Sequence, residues 1–253
     1  MSETIKYAGD YNLEIATILS YQKGRNKADV KRLEIKNLIQ LLNIYEDVMS
    51  PAITGDITLI DARDIRTMLP LTGMERLELK LFTPGVQNND MINYTEELTE
   101  PLYIYKVEKV RPGGGTSRLQ AYRIFFTSRE AYRNNICRVT KSFKGAVEDG
   151  VHEIVRDKSY LDSRKKFFVE ETATNTAMVI PNLKPFAAIR MLAKHAKSEK
   201  YENAGFLFYE TTQGFHFRSI ESLLAVGGHT GRPVKKKFQY KVADMRKDGS
   251  RDI

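Results

Sequence analysis

NIYEDVMSPAITGDITLID, the stretch from Asn43 to Asp61, decides the fold. From Ile53 to Asp61 it is rich in β-branched residues and alternates apolar with polar, which predicts a strand. Upstream, Leu38 to Tyr45 is apolar-rich and compatible with either strand or helix. Pro51 separates the two. Downstream, Arg63 to Met68 reads as a short helical turn. Leu77 to Phe82 alternates cleanly and stops at Pro84-Gly85. Residues 86–100 read as a polar loop. Leu102 to Val110 and Leu119 to Phe126 flank the glycine-rich Pro112 to Thr116, a hairpin pattern. Towards the N-terminus, Tyr11, Leu13, Ile15 and Thr17 fall on one side of an alternating strand. A polar break from Gly24 to Asp29 follows, and Val30 to Ile35 opens the next strand. This half therefore reads as about six strands joined by turns, a closed or nearly closed antiparallel barrel.

At Thr127 the pattern changes. Thr127-Ser-Arg-Glu130 fits a capping box, with a hydroxyl at the N-cap and a glutamate three residues on. Phe143, Val147, Val151, Ile154 and Val155 recur at helical spacing, although Gly145 and Gly150 weaken that helix. Lys165 to Thr172 reads as a strand. Pro185 suits the first turn of a helix whose buried stripe is Phe186, Ile189, Leu192 and Ala196. Gly205 to Glu210 and Phe215 to Ser219 form a second hairpin around Thr211 to Gly214. After Val226 the chain is glycine-rich and basic, with a last candidate strand at Phe238 to Val242. The expected fold class is α+β. An N-terminal antiparallel β-barrel domain spans 1–138, and a smaller α+β middle domain spans 139–253.

Composition narrows the function. The chain has 253 residues, 42% hydrophobic and 28% charged, as in an ordinary globular protein that can bury a core unaided. One cysteine, Cys137, excludes an internal disulfide and suits a reducing compartment. The first residues carry no signal-peptide pattern, and no apolar run approaches the ~20 residues of a membrane span, so no membrane insertion is expected. The net charge of +8 is uneven: residues 1–128 hold 16 Lys+Arg against 17 Asp+Glu, and the remainder holds 24 against 15. A basic half admits a nucleic-acid-binding module as an alternative, but no nucleic-acid motif frames it, and a solvated or partner-facing surface accounts for it equally.

Candidate chemistry is thin. Pro112 to Thr116 lacks the Gly-Lys-Ser/Thr ending of a phosphate loop, and a strand follows where a helix is required. His152, His195, His216 and His229 show no metal-ligand spacing with one another or with Cys137. Cys137 reads as a core residue on an apolar helix face. No pair of carboxylates is singled out for glycoside cleavage, and no serine sits in a Gly-x-Ser-x-Gly elbow. Lys235 to Lys237 can contact phosphates, or form a basic loop. Phe167, Phe168, Phe206, Phe208, Phe215 and Phe217 can stack bases, but period-two spacing favours packing against the Pro185 helix. No catalytic, cofactor-binding or metal-ligating residue is singled out; the expectation is a protein with no cofactor that is not an enzyme.

The order of segments carries a resemblance. Asn43 to Asp61 looks like the first-barrel strand pair of baseplate central hub proteins from contractile-tailed phages, where an I-x-G strand leads to a short helix and then to a G-x-E strand start. Leu69 to Pro84 resembles the segment that follows, Thr127 to Tyr132 the T-S-x-E approach to the first helix, and Ala204 to Phe217 the middle-domain hairpin. The resemblance spans residues 10–225. It implies a tail-tube-like barrel, then an α+β domain, then a second tube-like barrel, of which the residues after Val226 are the candidate start. Fewer residues remain there than such a barrel needs, so the chain reads as truncated or reduced at that end. It further implies a homotrimer forming a ring that joins the sixfold tail tube to the threefold spike and passes DNA through its lumen. Implied partners are the spike, the tail tube and the tape measure protein. The implied location is the virion tail baseplate, after assembly in the host cytoplasm.

Overall fold

A computed structural model describes residues 11–21, 30–61, 75–83, 91–96, 100–110, 120–201 and 204–225. The alternating segments of the first half pair as one antiparallel sheet. Its strands are β1 (Asn12–Ser20), β2 (Lys31–Glu34), β3 (Ile39–Tyr45), β4 (Thr54–Asp61), β5 (Arg76–Phe82), β6 (Ile92–Tyr94), β7 (Leu102–Val110) and β8 (Gln120–Thr127), in the order β2-β1-β5-β7-β8-β4-β3 with β6 also on β5. The ambiguous Leu38 to Tyr45 run is thus a strand, pairing with β4 from Ile39↔Leu59 to Tyr45↔Thr54. The supposed polar loop holds the short β6, whose three residues give too little alternation to read. The expected turn at Arg63 to Met68 and the tip at Pro112 to Thr116 lie outside the described residues.

The sheet curls. Register shifts at Leu13/Ile15, Ile39/Leu41 and Ile104/Lys106 are bulges, which increase local twist and bend. The hydrogen-bonded ladder does not close among the described residues, since β2 and β3 end the path. Yet β2 and β3 are consecutive parts of one segment, linked by Ile35 and the 3-10 turn Lys36–Leu38. That segment leaves one edge and joins the other. Ile35, fully buried at the kink, donates its N–H to the Ala16 carbonyl at 2.9 Å. Ile18, Ile53, Ile57, Leu59, Leu77, Leu79, Leu102, Ile124 and Phe126 fill the concave side. Gly55 of β4 is forced by this packing: a Cβ there would lie 2.3 Å from the Phe126 ring and 2.4 Å from the Asn43 carbonyl.

Beyond Thr127 the second core is built from α1 (Arg129–Ile136), β9 (Val139–Ala146), α2 (Val147–Arg156), β10 (Phe167–Val169), β11 (Asn175–Leu183), α3 (Pro185–Ala193), β12 (Phe206–Thr211), β13 (Gly214–Ser219) and α4 (Ile220–Leu224). The hairpin β12–β13 and Pro185 at the start of α3 match the sequence reading. Three readings are corrected. Phe143 belongs to β9, paired with Met178 of β11; the helix starts four residues later, at Val147. A strand followed directly by a helix keeps residues 143 and 147 on one buried side, which imitates i, i+4 spacing. The Lys165 strand shortens to Phe167–Val169, parallel to β13. The N-cap of α1 is Ser128, with no side-chain cap bond; Thr127 ends β8, and its hydroxyl donates to the Ile53 carbonyl at 2.9 Å.

Candidate functional site

The strongest polar arrangement lies where the sheet meets the second core. Glu130 of α1, Lys165 before β10 and Glu210 of β12 converge with side chains at most 5% exposed. Lys165 Nζ donates to Glu130 Oε2 at 2.7 Å and to Glu210 Oε1 at 2.5 Å. Ser163 Oγ donates to Glu130 Oε1 at 2.6 Å. The Ile53 N–H, from the loop between β3 and β4, donates to Glu210 Oε2 at 2.9 Å. The rings of Tyr94 and Phe215 flank the ammonium, each centred 5.6 Å from it. Burial alone would hold both carboxyls neutral, but the Lys165 ammonium and the Ser163 hydroxyl hold Glu130 below its ordinary range. Glu210 stays above its ordinary range, because burial and the charge of Glu130 outweigh its share of Lys165. Burial lowers and the two carboxylates raise Lys165; the carboxylates prevail.

Further bonds cross the same junction. The Thr212 N–H donates to Glu46 Oε1. Arg129 pairs with Glu100 at 3.4 Å on one side and Asp162 at 2.8 Å on the other. The junction is a polar clamp: each buried charge has partners, as burial demands. Sequence reading met Glu130 only as a capping residue and Lys165 only as a strand start. Nothing local distinguishes side chains that meet across sequence separations of 35 and 45.

The outer side of the sheet is more open. Asp56 of β4 takes a two-pronged bond from Arg123 of β8, both at 3.0 Å, and a bond from the Tyr45 hydroxyl at 2.9 Å. The Arg123 guanidinium, ahead of the hydroxyl, holds the Asp56 carboxyl down against burial. Tyr45, Tyr105, Val48 and Met49 are exposed nearby on β3, β7 and the β3–β4 loop. The exposure on β3, which ends the strand path, and on its loop marks a surface suited to contact with another chain.

The candidate residues of the sequence separate here. His152 lies exposed on α2 against the Phe167 ring, and His195 follows the end of α3. His216 is buried on β13, stacked between Phe168 and Tyr209. Cys137 is corrected: it follows α1, half-buried, instead of sitting on an apolar helix face. Phe206, Phe215 and Phe217 are buried, and Phe208 stacks on Phe215 and meets Phe186 of α3, so these rings are spent on packing. His229 and Lys235 to Lys237 lie outside the described residues. Among the described residues, no cluster of His, Cys, Asp and Glu is placed to hold a metal, and no helix is long and apolar enough to cross a membrane.

No protein-family model matches the chain, and no curated protein does. Solved structures similar to it include the tail protein from Neisseria meningitidis MC58, at 13% identity and TM-score 0.44, covering 82% of this chain and 50% of the other. The 43 kDa tail protein of prophage MuSo2 from Shewanella oneidensis is similar at 9% identity and TM-score 0.47, covering 80% and 52%. The E. coli c3393 protein, a type VI secretion component with structural similarity to the T4 bacteriophage tail proteins gp27 and gp5, is similar at 11% identity and TM-score 0.40, covering 82% and 48%. The chain spans about half the length of each of these three proteins.

Proposed function

We propose that this chain is a structural subunit of a contractile phage tail baseplate hub, and that its work is assembly geometry, not catalysis. One observation carries the reading. The Asn43 to Asp61 stretch that resembles the hub family's first-barrel strand pair is the β3–β4 hairpin of a curled antiparallel sheet, and the segment resembling the family's T-S-x-E approach is the point where that sheet gives way to an α+β unit. In this role three copies form a ring between the sixfold tail tube and the threefold spike, and DNA passes through the lumen. Strand edges left unpaired among the described residues and exposed aromatic residues on the sheet supply contacts between neighbours. The basic half faces an acidic partner, the spike or the tape measure protein. The subunit resides in the virion baseplate after assembly in the host cytoplasm. A permanent ring of this kind buries large apolar interfaces, on the order of 2,000 Å² or more. Light scattering at two salt concentrations, with and without the spike, tests the role. A trimer, alone or formed on adding the spike, is the expected mass. A monomer that is insensitive to salt and ignores the spike overturns it.

A further inference from the structure

The loop from Glu46 to Ile53 folds on its own acids. Asp47 Oδ1 accepts the Met49 N–H at 2.8 Å, its carbonyl accepts the Ser50 N–H at 3.0 Å, and Glu46 accepts the Thr212 N–H. This turn holds Val48 and Met49 outward, 48% and 71% exposed. Facing them, α3 and β12 present Phe186 and Phe208, with ring centroids 6.0 Å apart. Between loop and helix lies a cavity of about 250 Å³. Its aromatic wall is already fixed, because Phe208 is stacked on the buried Phe215 at 5.3 Å. Arg190 of α3 stands at this cavity and is exposed; its guanidinium makes no ion pair or hydrogen bond among the described residues. Lys194, one helical turn on, is exposed as well.

We propose that this cavity docks a peptide segment of a partner protein that presents one large apolar side chain beside a carboxylate. Size argues for a side chain: small-molecule and cofactor sites run to roughly 300–1,000 Å³. Flexible Met49 can close over an apolar knob of variable shape. Charge argues for the carboxylate. The acids nearest in sequence to the turn, Glu46 and Asp47, already accept backbone N–H groups, and a planar guanidinium is suited to two-pronged pairing with a carboxylate. The proposal rests on the cavity and stands apart from the hub assignment.

The test uses the full chain with methionine methyl groups labelled for NMR. Two capped probes are titrated in, Gly-Ala-Leu-Glu-Ala-Gly and the same peptide with Lys in place of Glu. The expected result is a saturable shift of the Met49 methyl with the Glu probe, and binding about tenfold weaker with the Lys probe. Arg190→Glu, at an exposed position without a partner among the described residues, should keep the fold and reverse that order. Equal binding of both probes, no saturable shift, or an order unmoved by Arg190→Glu overturns the proposal. A Met49 shift that depends on protein concentration alone and disappears in Arg190→Glu also overturns it, by showing that a second copy fills the cavity.

Discussion

Lys165 holds two carboxylates with one ammonium, and the two are not equivalent. Glu130 has the Ser163 hydroxyl as a further donor, and Glu210 has the Ile53 N–H. Their carboxyls move in opposite directions from the ordinary value of 4.5. Consider Glu210 first. Well below that value it is neutral whether the chain is folded or not. As pH rises the unfolded chain ionises first, since the folded carboxyl is held higher, so the stability it contributes is lost on the way up. Glu130 behaves oppositely: its contribution is full above its ordinary value and is lost as pH falls through the lower folded one. Across about pH 3 to pH 7, Glu210→Gln should therefore cost most at the acid end and less as pH rises above the ordinary carboxyl value, whereas Glu130→Gln should cost its full amount above that value and less as pH falls below it. Urea midpoints of the three proteins across that range measure both slopes. Parallel slopes for the two variants would contradict the division of charge described here.

At the scale of elements, what was legible depended on whether the pattern was local. Strands β4, β5, β7 and β8 are each at least seven residues long, and their positions follow from the sequence alone. The hairpin β12–β13 and helix α3 announce themselves by a turn and a proline. By contrast β11 has an exposed Val179 and an internal Pro181, and it is a strand because β9 lies beside it. The strand read at Lys165 to Thr172 exists, but its short extent, Phe167–Val169, is likewise set by a neighbour. It runs parallel to β13 with Phe167↔Phe215, and the Phe215 N–H reaches the Lys166 carbonyl at 2.8 Å. That approach depends on Gly214. Its φ of +139° is one that other residues rarely adopt, and a Cβ there would lie 2.2 Å from the Lys166 carbonyl oxygen. Gly214→Ala should cost more than the roughly 1–3 kcal/mol of backbone strain alone, because the backbone of β10 must also retreat. Amides of Phe167 to Val169 should then lose hydrogen-exchange protection while those of β7 and β8 keep theirs. The candidate surface follows the same rule: the cavity behind Val48 and Met49 unites residues 48–51, 186–193 and 206–208, which no period connects.

In the whole molecule, two apolar cores are joined by a polar clamp. Leu59, Leu77 and Phe126 belong to one core, and Val151, Ile189 and Phe217 to the other. Between them lie Lys165 with its two glutamates, the Ile53 N–H, the Glu46–Thr212 bond and the Arg129 bridge from Glu100 to Asp162. Cores of this size can fold as separate units when their shared boundary is weak, and as one unit when it is strong. Lys165→Met tests which holds. The substitution keeps volume but leaves two buried carboxylates facing each other without a cation, a change that costs about 3–5 kcal/mol when a buried pair is broken. That loss falls on the boundary and on neither core. The wild-type chain should unfold in urea as a single transition, with exchange protection lost together in peptides from β7–β8 and from β12–β13. In Lys165→Met the two sets of peptides should lose protection at different urea concentrations. If both shift downward together and remain coincident, Arg129 and Glu46 hold the boundary without Lys165, and the buried triad stabilises the chain without coupling its halves.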